Sequence, residues 1–224
     1  METATLGNGI YTFGEAARLV GISQQRVRAW FLGWRPTPGP LMHGDYQDVR
    51  RAGRIISFLD LIDVLVVGRL VHEGVSIRYL RRAHSHLMAE FKYQHPFCRK
   101  GIFTDGREVF IHEASSIDDP RLRELVTRQY QIPAIVMPFL RRVDYDPGSQ
   151  LARRWRIFEG VIVDPGRQFG KPILEGTGIP TRIIATAYEA NDRDESAVAD
   201  WYGIEARTVR TAVGFERSLL GAAA

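Results

Sequence analysis

Two distant stretches of this chain share one frame. Residues 17–28 read "ARLVGISQQRVR" and residues 199–210 read "ADWYGIEARTVR", both A-x-x-x-G-I-x-x-x-x-V-R. The frame has a physical meaning. A glycine can take positive φ without a Cβ penalty, so it ends one helix and turns the chain into the next. The small residue four positions earlier lets a second helix cross the first closely. Isoleucine fills the angle between them, and valine faces inward one turn into the second helix. A chain carrying this frame twice is expected to build two tight helical corners.

Around the first copy, "YTFGEAARLVGISQQRVRAWFLGW" reads as two short helices. Thr12 and Glu15 stand at capping-box spacing before the first helix. Ala16, Leu19 and Val20 make its apolar stripe. Ser23 is placed to cap the second helix, in which Val27, Trp30 and Phe31 face inward. That leaves Ser23, Gln24, Gln25, Arg26 and Arg28 pointing outward near the start of the second helix. In a helix-turn-helix this is where base edges are read: glutamine pairs bidentately with adenine and arginine with guanine. A tight corner with only a packing role is the competing reading.

The segment that follows, "RPTPGPLMHGDYQDVRRAGRIISF", is rich in Gly and Pro and ends in an apolar run. It reads as a wing carrying Arg50, Arg51 and Arg54, placed to grip phosphate or enter a minor groove, or else as a solvated loop. Two more helices follow, the second opened by Ser76. Taken together, "YTFGEAARLVGISQQRVRAW", the wing and "LIDVLVVGRLVHEGVSIRYLRRA" resemble a MerR-type winged helix over about residues 10–90. The resemblance implies that the helix opening "GVSI" leads into a dimerising or effector-linked segment.

Residues 93–160 read as a small β-rich connector or partner surface. "TDGR" is an Asp-Gly hairpin turn between "KGIF" and "EVFI", and Pro120 opens a helix behind Asp119. "AIVMPFLRRVDYD" and "WRIFEGVIVD" read as strands. Beyond them, Asp164 and Pro165, then "GKPILEGTGIPTRII", then the helices ending "TVRTAVGFERSLL" resemble the DUF433 family. Gly178 stands where that family usually has arginine. The fold expected is therefore α+β and mainly α. A winged helix-turn-helix spans 1–92, the β-rich connector 93–160, and a trihelical DUF433-like unit, with its own helix-turn-helix, 161–224.

Several chemistries are disfavoured. "GRQFGK" lacks P-loop spacing, with three residues between Gly166 and Gly170 and Pro172 where a Mg²⁺-binding hydroxyl belongs. His95, Cys98 and His112 lack the partners a tight metal site needs. Asp118, Asp119, Asp144 and Asp146 sit in turn and cap contexts rather than in a nuclease cluster. No catalytic residue, cofactor or metal is expected. No apolar run nears the about 18 residues of a membrane span, and no signal peptide is visible. With Cys98 as the lone cysteine, a cytoplasmic protein is expected.

Arginine outnumbers lysine 27 to 3. Its donor fork suits phosphate and guanine, although a GC-rich genome would give the same ratio. The helix-turn-helix reading points to operator binding as a homodimer, and the DUF433 resemblance implies an antitoxin of the VapB type that holds a PIN-domain ribonuclease inactive. Phe103, Arg107 and Phe110, or else Arg141 and Arg142, are candidate toxin contacts. Arg207, Thr208 and Arg210 on the second copy could meet DNA or form the dimer. The alternative is a MerR-like regulator with an organic effector and no toxin.

Overall fold

The first corner forms from the residues the frame names. In a computed structural model, which describes residues 8–33, 39–46, 55–92, 94–100 and 138–221, Tyr11–Thr12 is a short strand (β1) leading into helix α1, Phe13–Val20. The Thr12 hydroxyl accepts from the Glu15 N–H at 3.1 Å, and the Glu15 carboxylate accepts from the Thr12 N–H at 2.8 Å. This reciprocal pair satisfies two orphan donors at the helix start. Gly21 closes α1 with φ of 75°. The N–H groups of Gly21 and Ile22 both donate to the Ala17 carbonyl, at 2.9 and 3.0 Å. Ser23 caps helix α2, Gln24–Leu32, whose Val27, Trp30 and Phe31 are buried. Phe31 stacks on Phe13 with ring centroids 5.7 Å apart.

The corner rests on a helix that is buried nearly all round. Strand β2, Ile55–Ile56, pairs antiparallel with β1 and leads into α3, Phe58–His72. A second capping box, between Ser57 and Asp60, starts α3. Apolar residues cover most faces of α3, as expected of a core helix. Gly68 lets the corner approach it. A Cβ there would lie 3.3 Å from Val20 Cγ1 and 3.5 Å from Ile22 Cγ2. Helix α4, Ile77–Phe91, starts at Ser76.

The segment expected as a wing begins packed. Leu41 and Met42 are buried, and their N–H groups donate to the Trp30 carbonyl at 2.8 and 3.1 Å. Arg50, Arg51 and Arg54 lie outside the described residues. So do the "TDGR" hairpin and the helix behind Pro120.

Strands β3 (Val143–Tyr145), β4 (Ala152–Phe158), β5 (Val161–Val163) and β6 (Pro172–Leu174) form an antiparallel meander. "WRIFEGVIVD" is two paired strands, broken where Gly160 takes φ of 71°. The expected division between residues 160 and 161 falls in that turn, inside a continuous sheet. Three helices follow: α5 (Thr181–Ala190), α6 (Glu195–Tyr202) and α7 (Ala206–Gly221). Gly203 ends α6 with φ of 61°, and the Ile204 N–H donates to the Ala199 carbonyl at 3.0 Å. The Ile22–Ala17 bond has the same length and the same sequence offset. Both are the six-residue closure of a Schellman cap.

Among the described residues the buried apolar side chains fall into two clusters. One joins α1–α4 to β3 and β4, and the other lies within α5–α7 and β5–β6. Leu19 and Ile157 pack against both. The junction is also pinned by polar contacts. The Tyr11 hydroxyl donates to the Gly170 carbonyl at 2.8 Å, and the Ile10 N–H to the Phe169 carbonyl at 3.0 Å. Lys171 pairs with Glu15. The architecture is α+β, and no described helix is long and apolar enough to cross a membrane.

Candidate nucleic-acid interface

Helix α2 is held by one face and open on the other. Val27 has no exposed surface, and Trp30 and Phe31 are each 5% exposed. At 100° per residue these three cover one side of the helix. Ser23, Gln24, Gln25, Arg26 and Arg28 are all exposed. By the same spacing Gln25 stands opposite the buried stripe, with Arg28 and Arg26 to either side of it. Gln24 lies at the edge over Gly14, where a Cβ would meet its Oε1 at 3.3 Å. Leu32 is 50% exposed one turn beyond Arg28 and adds an apolar contact to that side. Neither Arg26 nor Arg28 forms an ion pair among the described residues. Their donor forks are therefore available to an external acceptor.

The second corner repeats the backbone with different electrostatics. Arg207 Nε is 2.6 Å from Glu205, and Arg210 Nη1 is 2.6 Å from Glu195. Further along α7, Arg217 pairs with Glu189 at 3.1 Å, and Glu189 also holds Arg193. Hydrogen bonds from Arg193 and Arg217 hold the Glu189 carboxyl below its usual range. Thr208 is half-buried. The arginines here already have carboxylate partners, which a phosphate would have to displace.

The other sequence candidates divide. Arg141 and Arg142 are exposed just before β3. Phe103, Arg107 and Phe110 lie outside the described residues. In the second unit the apolar Ile183, Trp201 and Tyr202 turn outward, with exposures of 46%, 65% and 36%.

One cluster was only half visible in the sequence. His95 lies in the core with Nδ1 2.9 Å from Asp63 Oδ2 and 3.7 Å from Asp60 Oδ1, and Nε2 3.0 Å from Asp45 Oδ1. The Cys98 thiol donates to the Leu59 carbonyl at 3.0 Å and lies 3.3 Å from Asp63 Oδ1. Burial disfavours a charged imidazole. The hydrogen bonds to Asp45 and Asp63 and the nearby charges of Asp63 and Asp60 outweigh it, raising His95 to about 10. Burial likewise pushes Asp60 up to about 6. These are the described side chains that could hold a cation. Each already has a hydrogen-bond partner, with a proton at the centre. His112 lies outside the described residues. The acids that join His95 and Cys98 come from α3 and the loop before it, too far away in sequence for spacing to reveal.

Comparison with known proteins follows the same map. Residues 161–215 match a family model described as "Protein of unknown function (DUF433)". A Mycobacterium tuberculosis (strain ATCC 25618 / H37Rv) protein named "Putative antitoxin VapB45" is 24% identical, over 91% of this chain and 92% of its own length. A solved structure titled "X-ray crystal structure of Rv2018 from Mycobacterium tuberculosis" superposes with a TM-score of 0.70 at 22% identity, covering 91% of this chain and 96% of that one. The likeness in fold thus extends far beyond the DUF433 stretch.

Proposed function

We propose that this chain is a DNA-binding antitoxin. It would bind operator DNA as a dimer through helix α2 and neutralise a ribonuclease toxin, of the PIN-domain kind that the DUF433 resemblance implies. The observation that carries the DNA half is the row of Gln24, Gln25, Arg26 and Arg28, exposed on a helix whose other side is locked into the core. A recognition helix needs just this combination, because side chains that read bases must be fixed in register by the scaffold behind them. The toxin half is supported by the relative named as an antitoxin, which aligns over nearly its whole length.

The C-terminal corner is the better candidate for contact between copies or with a partner. Its arginines are spent on internal carboxylates, while Trp201 and Leu220 are widely exposed apolar side chains. The role proposed is non-catalytic and belongs to the cytoplasm. The experiment has two arms. Gel shift of the DNA upstream of the chain's own gene tests the first half, and co-purification with the product of the neighbouring gene tests the second. Failure of the shift at low salt removes the DNA half; failure of co-purification removes the toxin half.

A further inference from the structure

Between the two units lies a cavity of about 650 Å³. Helix α1 forms one wall, and α5 and α7 form the other. Leu19, Ile183, Ala187 and Leu219 give it an apolar lining. We propose that this cavity binds a small amphipathic organic anion, with its apolar body between α1 and α5 and its charged head at Arg18 and Arg182.

Three observations support the assignment. Its size falls within the range of about 300–1,000 Å³ typical of small-molecule sites, and such sites favour domain interfaces. Ile183, 46% exposed, stands on its wall and would be covered by an apolar occupant.

The third observation is charge. Three cations and two carboxylates line the cavity: Arg18, Lys171 and Arg182 against Glu15 and Glu216. Lys171 and Glu15 neutralise each other. Glu216 accepts a hydrogen bond from the buried Thr181 hydroxyl. Arg18 and Arg182 form no ion pair among the described residues, and both are exposed. An occupant with one carboxylate, sulfonate or phosphate completes them. Because α1 also carries the corner that holds α2, such a ligand would bridge the candidate DNA-reading unit and the second core.

The proposal is independent of the antitoxin reading, and it is tested on the full-length protein without DNA or partner. The probe is anilinonaphthalene sulfonate, an aromatic body with one sulfonate, and its uncharged counterpart is phenylnaphthylamine. Fluorescence titration is expected to show saturable binding of the sulfonate at one site per chain. Arg18→Glu combined with Arg182→Glu should weaken it by about tenfold or more, as loss of charge-assisted contacts does, and weaken the uncharged probe by less than about threefold. Ala187→Trp fills the space and should displace both probes, with circular dichroism checking its fold. The exposed arginine variants carry the test if that one does not fold. Trp201→Ser should change nothing. Absence of saturable binding overturns the proposal. So does equal weakening of both probes by the charge reversals, or loss of binding in Trp201→Ser.

Discussion

Removing the imidazole of His95 should expose how the first core is tied together. In His95→Ala, Asp63 and Asp60, with side chains 2% and 1% exposed, lose their shared cation. Asp60 keeps the N–H donors of Ser57 and Asp45, at 2.9 and 3.1 Å. Among the described residues Asp63 keeps only the weak thiol donor of Cys98. Breaking a buried pair by deleting one partner costs about 3–5 kcal/mol on general grounds. That is a large share of the about 5–15 kcal/mol that holds a domain together. The pH dependence rests on His95, so the gap between variant and wild type should be wider at pH 5 than at pH 9. In the wild type, His95 rises from 6.5 to about 10 on folding. Its contribution is complete below pH 6.5 and is lost as pH climbs through 10. Urea unfolding followed by circular dichroism at pH 5, 7 and 9 measures all three points. A loss under about 1 kcal/mol at pH 7, or a loss at pH 9 as large as that at pH 5, would refute the buried imidazolium.

Arg26→Ala and Arg28→Ala should each weaken operator binding by about 1–3 kcal/mol and relax sequence preference, read by fluorescence anisotropy at fixed salt. Arg210→Ala, whose partner is Glu195, should leave that affinity within about 0.5 kcal/mol; a larger loss would place the second corner on DNA as well. Gly170→Ala should destabilise the protein by about 2 kcal/mol or more in thermal melts. Its φ is +81°, and the new Cβ would collide with the Tyr11 hydroxyl that joins the two units. Wild-type stability would remove the argument for a rigid junction.

What the sequence revealed were features whose partners lie within a turn or two. Thr12 with Glu15, Ser23 and Ser76 could be read as caps because a cap and its N–H donor sit three residues apart. Gly21 and Gly203 could be read as corners because positive φ is a local property. Features formed across the fold could not be read. Asp45, Asp60 and Asp63 meet His95 only after α3 and the loop before it have packed. Gly68 looks like an arbitrary helix glycine until Val20 and Ile22 are laid against it. In the second unit Ile183 and Trp201 stand exposed, because a three-helix unit this small has too little core to bury every apolar residue its helices present.

The duplicated frame separates shape from function. Both corners close with the same Ile-to-Ala hydrogen bond and the same left-handed glycine, so the frame determines how two helices meet. It leaves undetermined what the second helix presents. On α2 the residues after the cap are glutamine and arginine, and among the described residues no carboxylate forms an ion pair with them. On α7, Arg210, which matches Arg28, and Arg207, which matches Gln25, each have an acid 2.6 Å away. An arginine bound to a carboxylate must give up that partner before it meets phosphate, and the exchange gains little. An unpaired arginine at a helix start trades only water. Where one backbone corner occurs twice in a chain, the copy whose cations lack internal partners is therefore the one to test on DNA first. The copy whose cations are internally paired is free to serve as an interface between proteins.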